Sequence, residues 1–549
     1  MSAPRGAKLR AAAQIGRALA RTLADEAREG TLSATLVASL RARELTFVRE
    51  PSFAELLERR AVEAPAQVFV RFEDRLVTHG ELDAGANAVA AGLRRLGVGP
   101  GEQVAVVSPN CPEVLEAFFA VQKLGAGYVP VNVALVGDGL AHVLDHARAR
   151  VAIVHRDCLP AVRAVRHRAG ALRDVLVIAD GEPVDGPTLE GLRGEHRGAS
   201  APGVSPHPDA VGLLMYTSGT SGAPKGVVYR YAQAQTKRLR LLAHLLYDAR
   251  DVLYTCLPLY HANALLLTTV QALNARARMV LARRFSASRF WEEVARSGAT
   301  TFNALGAMIP ILLKQPPSEW DRRHAVRTVV SAACPREAWR PFEERFGVRI
   351  VEAYGAVDGG GFLTLNLGNA PVGSIGRPLG GRYRLVGEDG RDVPHGAPGE
   401  LWVWTGARGR VEYYRDGAAT DEKTRDGWLR TGDLLVRDEG GDLYFAGRTT
   451  DSMRRRGENV SAFEVESILD THPDVLESPS SACPASSARR RSWPPWCRGR
   501  GAPWRRPRCA RSSRDASPST RFPATWRCSR SCRRRGRSAC RSTSSAPAA

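Results

Sequence analysis

The chain has 549 residues, a formal charge of +21 and a pI near 10.1, a balance that ordinarily points to nucleic acid or an anionic membrane. The charge is uneven, however: residues 481–549 hold eighteen Arg against a single acid, Asp515, so they carry +17 and leave only +4 for residues 1–480. No stretch reaches the ~18 to 20 apolar residues of a membrane helix, the N-terminus lacks a secretory apolar block, and Cys111, Cys158, Cys256 and Cys334 are scattered without metal spacing, which together predict a reducing, cytoplasmic protein with no nucleic-acid partner.

The length suggests about three or four units. Residues 1–46 mix Ala and Leu with Lys8, Arg10, Arg17 and Arg21, and place Leu9, Ile15, Leu19 and Leu23 at roughly helical spacing. They predict a basic amphipathic leader that packs against its own domain, with peripheral contact to an anionic bilayer as the minor alternative. From Ser52 the pattern alternates: helix, strand Val68–Phe72, helix Gly80–Leu96, strand Gln103–Val107, helix Val114–Leu124 and strand Tyr128–Val131. A helical stretch Leu140–Ala149 and a strand Val151–Val154 follow. That alternation predicts a parallel sheet with crossover helices, and an α/β fold.

Between the apolar runs Val211–Met215 and Val227–Tyr229 lies Tyr216-Thr217-Ser218-Gly219-Thr220-Ser221-Gly222-Ala223-Pro224-Lys225-Gly226. Three glycines let backbone N–H groups converge, four hydroxyls add donors, and Lys225 adds a mobile charge, which makes a nest for phosphate oxygens. A surface hairpin turn rich in Ser and Gly is the plain alternative. The G-x-x-x-x-G-K-[ST] loop does not fit, because no hydroxyl residue follows Lys225 and no helix opens there. The run resembles, residue for residue, the phosphate loop of the adenylate-forming superfamily of acyl-CoA synthetases, luciferases and peptide-synthetase adenylation domains. That resemblance implies a large N-terminal adenylation domain, with two sheets, flanking helices and a small antiparallel barrel, followed by a small mobile α+β domain. It also implies ATP, Mg²⁺ and CoA as ligands, and Thr217, Ser218, Gly219, Thr220, Ser221, Gly222 and Lys225 around the phosphates. Gly125-Ala126-Gly127-Tyr128-Val129-Pro130-Val131-Asn132 resembles the family's first subdomain, where glycines permit tight helix-to-strand packing.

Further along, Asp251–Leu257 reads as a strand ending in Pro258-Leu259-Tyr260-His261-Ala262-Asn263. A lone histidine is more often structural, but the resemblance implies that His261 lies near the reacting carboxylate. Ala299–Pro310 and Val326–Pro335 read as two more strands with their loops. Ala332 and Ala333 are implied beside the adenine, with plain packing as the alternative. Val351-Glu352-Ala353-Tyr354-Gly355-Ala356-Val357-Asp358-Gly359 resembles the family's aromatic-Gly-x-Thr-Glu loop. Tyr354 would stack on adenine, Gly355 would let the backbone approach, and Asp358 would hold Mg²⁺ in place of glutamate. Val357 stands where a threonine usually meets the α-phosphate, so one donor is missing.

Residues 373–450 are dense in glycine, β-branched and aromatic residues, with short runs at Tyr383–Val386, Glu400–Thr405, Leu434–Arg437 and Leu443–Ala446. They predict the antiparallel barrel or sheet. Within it Trp428-Leu429-Arg430-Thr431-Gly432-Asp433 resembles the family's ribose motif, with Asp433 on the ribose hydroxyls. Gly447-Arg448-Thr449-Thr450-Asp451 resembles the next, with Arg448 on ribose or α-phosphate and Asp451 as hinge. Solvated charges are the alternative for both Asp433 and Arg448. Arg454 to Ser461 resembles the start of the mobile domain, where Gly457 would leave room for the pantetheine arm of CoA. The expected domains are therefore 1–46, 47–450, 451–478 and 479–549. The run Arg415–Glu466 is most similar to ligases for fatty acids, including the fatty acid transport proteins, and to carnitine or crotonobetaine CoA ligases.

Beyond Ser480 there is no Val, Ile, Leu, Met, Lys or Glu, and such a segment buries too little aliphatic surface to offset its chain entropy. An Arg-rich, Trp-interleaved RNA-binding tail is one reading. The favoured one is a GC-rich gene read out of frame: shifting plausible codons for Pro479 to Cys497 back by one base yields Val-Val-Gly-Val-Pro-Gly-Glu-Leu-Gly-Glu, which resembles the family at that point. The last lysine of the chain is Lys423, so the lysine that the family's C-terminal domain contributes to adenylation is missing as written. The expected activity is thus an acid–thiol ligase forming acyl-CoA through acyl-AMP, from a long- or medium-chain fatty acid, impaired as written. A weak nucleotide-binding remnant and a carnitine-type ligase are the alternatives.

Overall fold

A computed structural model describes residues 5–42, 47, 51–217, 223–233, 236–358, 361–378, 382–405, 411–449, 452–455 and 458–461, the last two stretches as backbone only. The expected tail, 479–549, and the loop residues Ser218 to Gly222 lie outside the described residues, as do Asp451 and Gly457.

Strands with no polar face become central strands covered on both sides. Gln103–Val107 and Gly127–Val131 are buried at every position, as expected of parallel strands under helices. They sit in a seven-stranded sheet that runs from Glu412–Tyr413 through Lys225–Arg230, Val211–Thr217, Gly127–Val131, Gln103–Val107 and Ala149–His155 to Asp174–Ile178. Val68–Phe72 belongs elsewhere: it pairs in parallel with Arg278–Leu281 in a nine-stranded sheet that also contains Val252–Thr255, Thr301–Leu305, Thr328–Ala332 and Arg349–Ala356. The two expected sheets are present, and Val68–Phe72, which the alternation grouped with Gln103–Val107, lies in the other one. Hydrophobic periodicity identifies a buried strand but carries no information about which sheet receives it.

The helix Pro112–Lys123 is buried along all its length. An all-round buried helix needs apolar neighbours on every side, and it finds them: Phe118 meets Phe53 and Tyr128 with ring centroids 5.7 and 5.0 Å apart. One continuous core joins Phe69 and Val70 of the nine-stranded sheet to Val104, Tyr128 and Leu213 of the seven-stranded one. Gly127 permits the tight entry to its strand, since a Cβ there would lie 1.9 Å from Gln103 Oε1. Thr78 and Glu81 form a reciprocal cap on the helix His79–Arg95, satisfying two donors that a helix start leaves open.

Residues 383–448 form a separate antiparallel sheet in the order Tyr383–Val386, Pro398–Trp404, Trp428–Arg437 and Thr424–Arg425, with Leu443–Arg448 also on Trp428–Arg437. The alternating burial of Trp428–Arg437 is that of a strand with one face on a core. Its small core contains Leu385, Leu401, Leu435 and Leu443, together with Tyr354 from the neighbouring sheet.

The leader is two helices, α1 (Arg5–Arg28) and α2 (Leu32–Ala42), and its amphipathic face is the reverse of the expectation. Leu9, Ile15 and Leu19 are exposed, whereas Ala11, Ala18, Thr22, Asp25 and Glu26 are buried. The cause is electrostatic: Lys237 on the helix Thr236–Leu246 donates to Glu26 at 2.8 Å, and Arg240 pairs with the same carboxylate. Glu26 also accepts from Thr31 and Thr35 at 2.8 Å each. A second departure follows the strand Thr301–Leu305, where Met308–Leu313 is helical rather than extended. No helix among the described residues is long and apolar enough to cross a membrane.

Candidate active site

Arg349–Ala356 carries Tyr354 to the boundary between the nine-stranded sheet and the small antiparallel sheet. A bulge against Gly361–Asn366 falls between Tyr354 and Gly355, and such a kink re-aims the side chains beside it. The Tyr354 hydroxyl donates to Asp433 Oδ2 at 2.6 Å, and Arg448 Nε lies 3.2 Å from Asp433 Oδ1. The antiparallel register sets Asp433 directly opposite Arg448. Asp433 is buried, and that burial raises its pKa even though Tyr354 and Arg448 pull the other way. Burial also drives the Tyr354 phenol well above its ordinary value, with the Asp433 charge adding to the shift, so the phenol stays a donor.

A second cluster surrounds Asp358. Tyr413 donates its hydroxyl to Asp358 Oδ2 at 2.8 Å, and Lys423 Nζ lies 3.2 Å from the same oxygen. Lys423 also donates to the Thr431 carbonyl at 3.0 Å, which ties this cluster to the strand that bears Asp433. The ring of Tyr413 lies 5.3 Å from Lys225 Nζ, and Lys225 reaches Asp416 Oδ2 at 3.9 Å. The two-residue strand Glu412–Tyr413 pairs with Val227 and Val228 next to Lys225, so the sheet itself delivers Tyr413 to the base of the phosphate loop. Tyr229 donates to the Val357 carbonyl at 2.8 Å, which holds the segment before Asp358 against the same strand.

The residues expected from sequence thus fall into groups. Tyr354, Asp433 and Arg448 touch in one chain; Lys225 and Asp358 meet through Tyr413. Thr217 sits opposite Lys225 in the hairpin register. Ala332 ends the strand Thr328–Ala332, and Ala333 adopts φ +67. Both belong to a turn held by Glu352, whose Oε1 accepts the N–H groups of Ala333 at 2.5 Å and Cys334 at 3.2 Å. Glycine at 306 is required here, because a Cβ would lie 2.0 Å from the Ala333 carbonyl oxygen. His261 contacts Tyr260, ring centroids 4.7 Å apart, and no contact among the described residues joins it to Asp358 or Lys225. Partial burial lowers the His261 pKa. Ser218, Gly219, Thr220, Ser221, Gly222 and Gly457 lie outside the described residues.

Sequence reasoning missed Tyr413, Asp416, Lys423 and Glu352 as site residues. A carboxylate inside a strand of apolar residues, as Glu352 is, was the available signal. Burial pushes its carboxyl up to about 7. Lys423 was visible only as the last lysine.

Asp358 is the residue expected to hold Mg²⁺. No group of three His, Cys, Asp or Glu gathers among the described residues, so a fully protein-made cage is excluded there. Mg²⁺ commonly takes one carboxylate plus substrate phosphates, and Asp358 fits that lesser role through Oδ1, since both its described donors fall on Oδ2. A polar cavity of about 570 Å³ is lined by Arg148, Arg150, Arg173 and Arg415, with Asp145 and Tyr414. Arg148 and Arg415 both adopt positive φ, at 53 and 55.

The model of the family described as AMP-binding enzyme matches residues 57–408. A sulfoacetate–CoA ligase of Cupriavidus necator is 35% identical over 440 residues, covering 79% of this chain and 85% of the relative. A medium/long-chain-fatty-acid–CoA ligase of Mycobacterium tuberculosis is 34% identical over 457 residues, 78% of this chain and 74% of the relative. The crystal structure of an anthranilate CoA ligase in complex with anthranoyl-AMP superposes with a TM-score of 0.71 at 27% identity, over 79% of this chain and 85% of that one. The chain belongs to the AMP-binding enzyme family and is an adenylate-forming acyl-CoA ligase.

Proposed function

We propose that the acid joined to CoA is a medium- or long-chain fatty acid, activated in a site built from Thr217, the Ser218–Gly222 loop, Lys225, Tyr354, Asp358, Asp433 and Arg448. The carrying observation is the continuous chain from Lys225 through Tyr413 to Asp358, and from Lys423 through Thr431 to Asp433, which sets cations and carboxylates along one path. On this reading Asp433 takes the ribose hydroxyls on the lone pairs that Tyr354 and Arg448 leave over. Lys225 and the loop amides then hold the phosphates while the carboxylate attacks the α-phosphate, giving acyl-AMP and pyrophosphate. The thiol of CoA afterwards displaces AMP. The residues work by positioning and charge neutralisation. Mg²⁺ on Asp358 would supply further charge neutralisation at the phosphates. The arginine-lined cavity beside Tyr414 suits the phosphate-rich end of CoA. Residues 47–450 then form the adenylating body and 451–478 begin a second domain.

Two features favour an apolar acid over a doubly charged one such as sulfoacetate. Leu305, at the C-terminal end of its strand, is 44% exposed, and strand C-terminal ends are where α/β sheets receive ligands. Burial lowers the pKa of His261, expected beside the acid, and so disfavours the charged imidazole that would face a sulfonate. The test is ATP–pyrophosphate exchange with octanoate, palmitate, sulfoacetate, benzoate and crotonobetaine. Exchange with the two fatty acids and none with sulfoacetate is expected. Exchange driven by sulfoacetate alone overturns the fatty-acid reading, and no exchange with any acid supports the nucleotide-binding remnant.

A second reading concerns residues 1–46. Leu9, Ile15 and Leu19 point outward beside exposed Lys8, Arg10, Arg17 and Arg21, the composition of a helix that lies on anionic lipid. Co-sedimentation with vesicles containing phosphatidylglycerol, lost when residue 9, 15 or 19 is changed to Ser, tests it; equal recovery with neutral vesicles and with no vesicles rejects it.

A further inference from the structure

The helix Gly417–Lys423 carries an ion pair at each end. Asp416, its N-cap, accepts from the Ala419 N–H at 3.0 Å and faces Lys225 at 3.9 Å. Lys423, in its last turn, faces Asp358 at 3.2 Å. One short helix therefore couples the base of the phosphate loop to the carboxylate expected to hold the metal. Lys423 is fixed in this role: its side chain is 13% exposed, and its ammonium is shared between Asp358 and the Thr431 carbonyl, while Tyr413 donates to the same Asp358 oxygen.

We propose that Lys423 is a resident cation on Asp358, a positioning residue that takes part of the charge-neutralising place of a divalent ion and makes ATP binding by this chain weakly dependent on Mg²⁺. The proposal rests on the reading that ATP binds at this site. The physical argument is competition for one carboxylate. Mg²⁺ requires oxygens at about 2.0–2.1 Å in near-octahedral array, and an ammonium within hydrogen-bond reach of Oδ2 repels a second cation there. A divalent ion is confined to Oδ1 and meets a carboxylate whose charge Lys423 has already offset. The ammonium and the Tyr413 hydroxyl share Asp358 Oδ2, and the ring of that tyrosine also faces Lys225. Losing the ammonium leaves Asp358 as an uncompensated negative charge facing a polyanion, unless a metal enters.

The experiment measures ATP affinity by titration calorimetry in excess Mg²⁺ and in EDTA, and Mn²⁺ binding by electron paramagnetic resonance, for the full chain and for Lys423→Met and Lys423→Arg. For the parent protein Mg²⁺ should change ATP affinity by less than about threefold. In Lys423→Met the affinity in EDTA should fall about tenfold, the ratio between the two conditions should rise above about tenfold, and Mn²⁺ should bind more tightly. Lys423→Arg should keep the parent ratio, because it keeps the charge. An unchanged ratio in Lys423→Met overturns the proposal. If Lys423→Met unfolds, the pair variant Asp358→Asn with Lys423→Met removes both charges. It should bind ATP equally in Mg²⁺ and EDTA, and a Mg²⁺ effect larger than the parent's would overturn the proposal. Failure of the parent protein to bind ATP under any condition would instead sink the reading of the site itself.

Discussion

Two places in the molecule hold carboxylates out of water against cations, and they do opposite things with the same chemistry. Under α1, Glu26 accepts from Thr31, Thr35, Lys237 and Arg240, four donors on the roughly four lone-pair sites of a carboxylate. Burial alone would push its pKa up, but the Lys237, Thr35 and Thr31 hydrogen bonds win and hold it below the ordinary value. At the candidate site, Asp433 accepts from Tyr354 and faces Arg448, and Asp358 has both described donors on a single oxygen. A saturated carboxylate is a fastening. One with acceptor capacity left over can still take a ligand, and that residual capacity separates the two regions better than burial does.

The largest effect should come from breaking the saturated cluster. Glu26→Ala removes the buried carboxylate between Lys237 and Arg240, which still reach Glu29, a loss on the order of 3 kcal/mol, the low end for breaking a buried pair. It should release α1 from the helix Thr236–Leu246 before the two sheets unfold. Protection of residues 5–28 from proteolysis and from amide exchange reads this directly. Release with ATP binding intact keeps the two regions distinct, whereas parallel loss of both would show that the fastening also serves the site.

Asp433→Asn comes next. It removes the charge opposite Arg448 while keeping the shape, and the buried amide then meets the Tyr354 hydroxyl with one donor too many. About 2–3 kcal/mol, or roughly a hundredfold in ATP affinity, is expected from losing a charge-assisted pair at a ligand. Thermal stability should change much less than in Glu26→Ala. A variant that unfolds like Glu26→Ala but binds ATP normally would place Asp433 among the fastenings.

Much of the frame was legible in the residues. Val68–Phe72 and Gln103–Val107 were read to the residue, because a short β-branched run bounded by polar turns has few other ways to fold. The two touching members of the site, Tyr354 and Asp433, were named from motifs 79 positions apart. What escaped depends on long-range pairing. Hydrophobic spacing put Leu9, Ile15 and Leu19 inward; the ion pair between Glu26 and Lys237, 211 positions away, turns the helix over, and no local window contains both partners. Tyr413 and Lys423 escaped for the same reason, since their meaning comes from Asp358, 55 and 65 positions earlier.

Glu352 lies between the two classes, and its effect is the one that depends on pH. Its Oε1 is taken by the Ala333 and Cys334 N–H groups, while Oε2 is buried without a partner. Burial raises its pKa from 4.5 to about 7. Between those values the folded protein holds a proton that the unfolded chain has lost, so stability falls as pH rises through the window, by at most about 1.4 kcal/mol per pH unit. Glu352→Gln keeps an acceptor for both N–H groups and never ionises. The variant should match the parent in melting temperature near pH 4.5 and exceed it above pH 7. A difference that does not change with pH would mean that Oε2 is satisfied in solution and that Glu352 belongs with the fastenings.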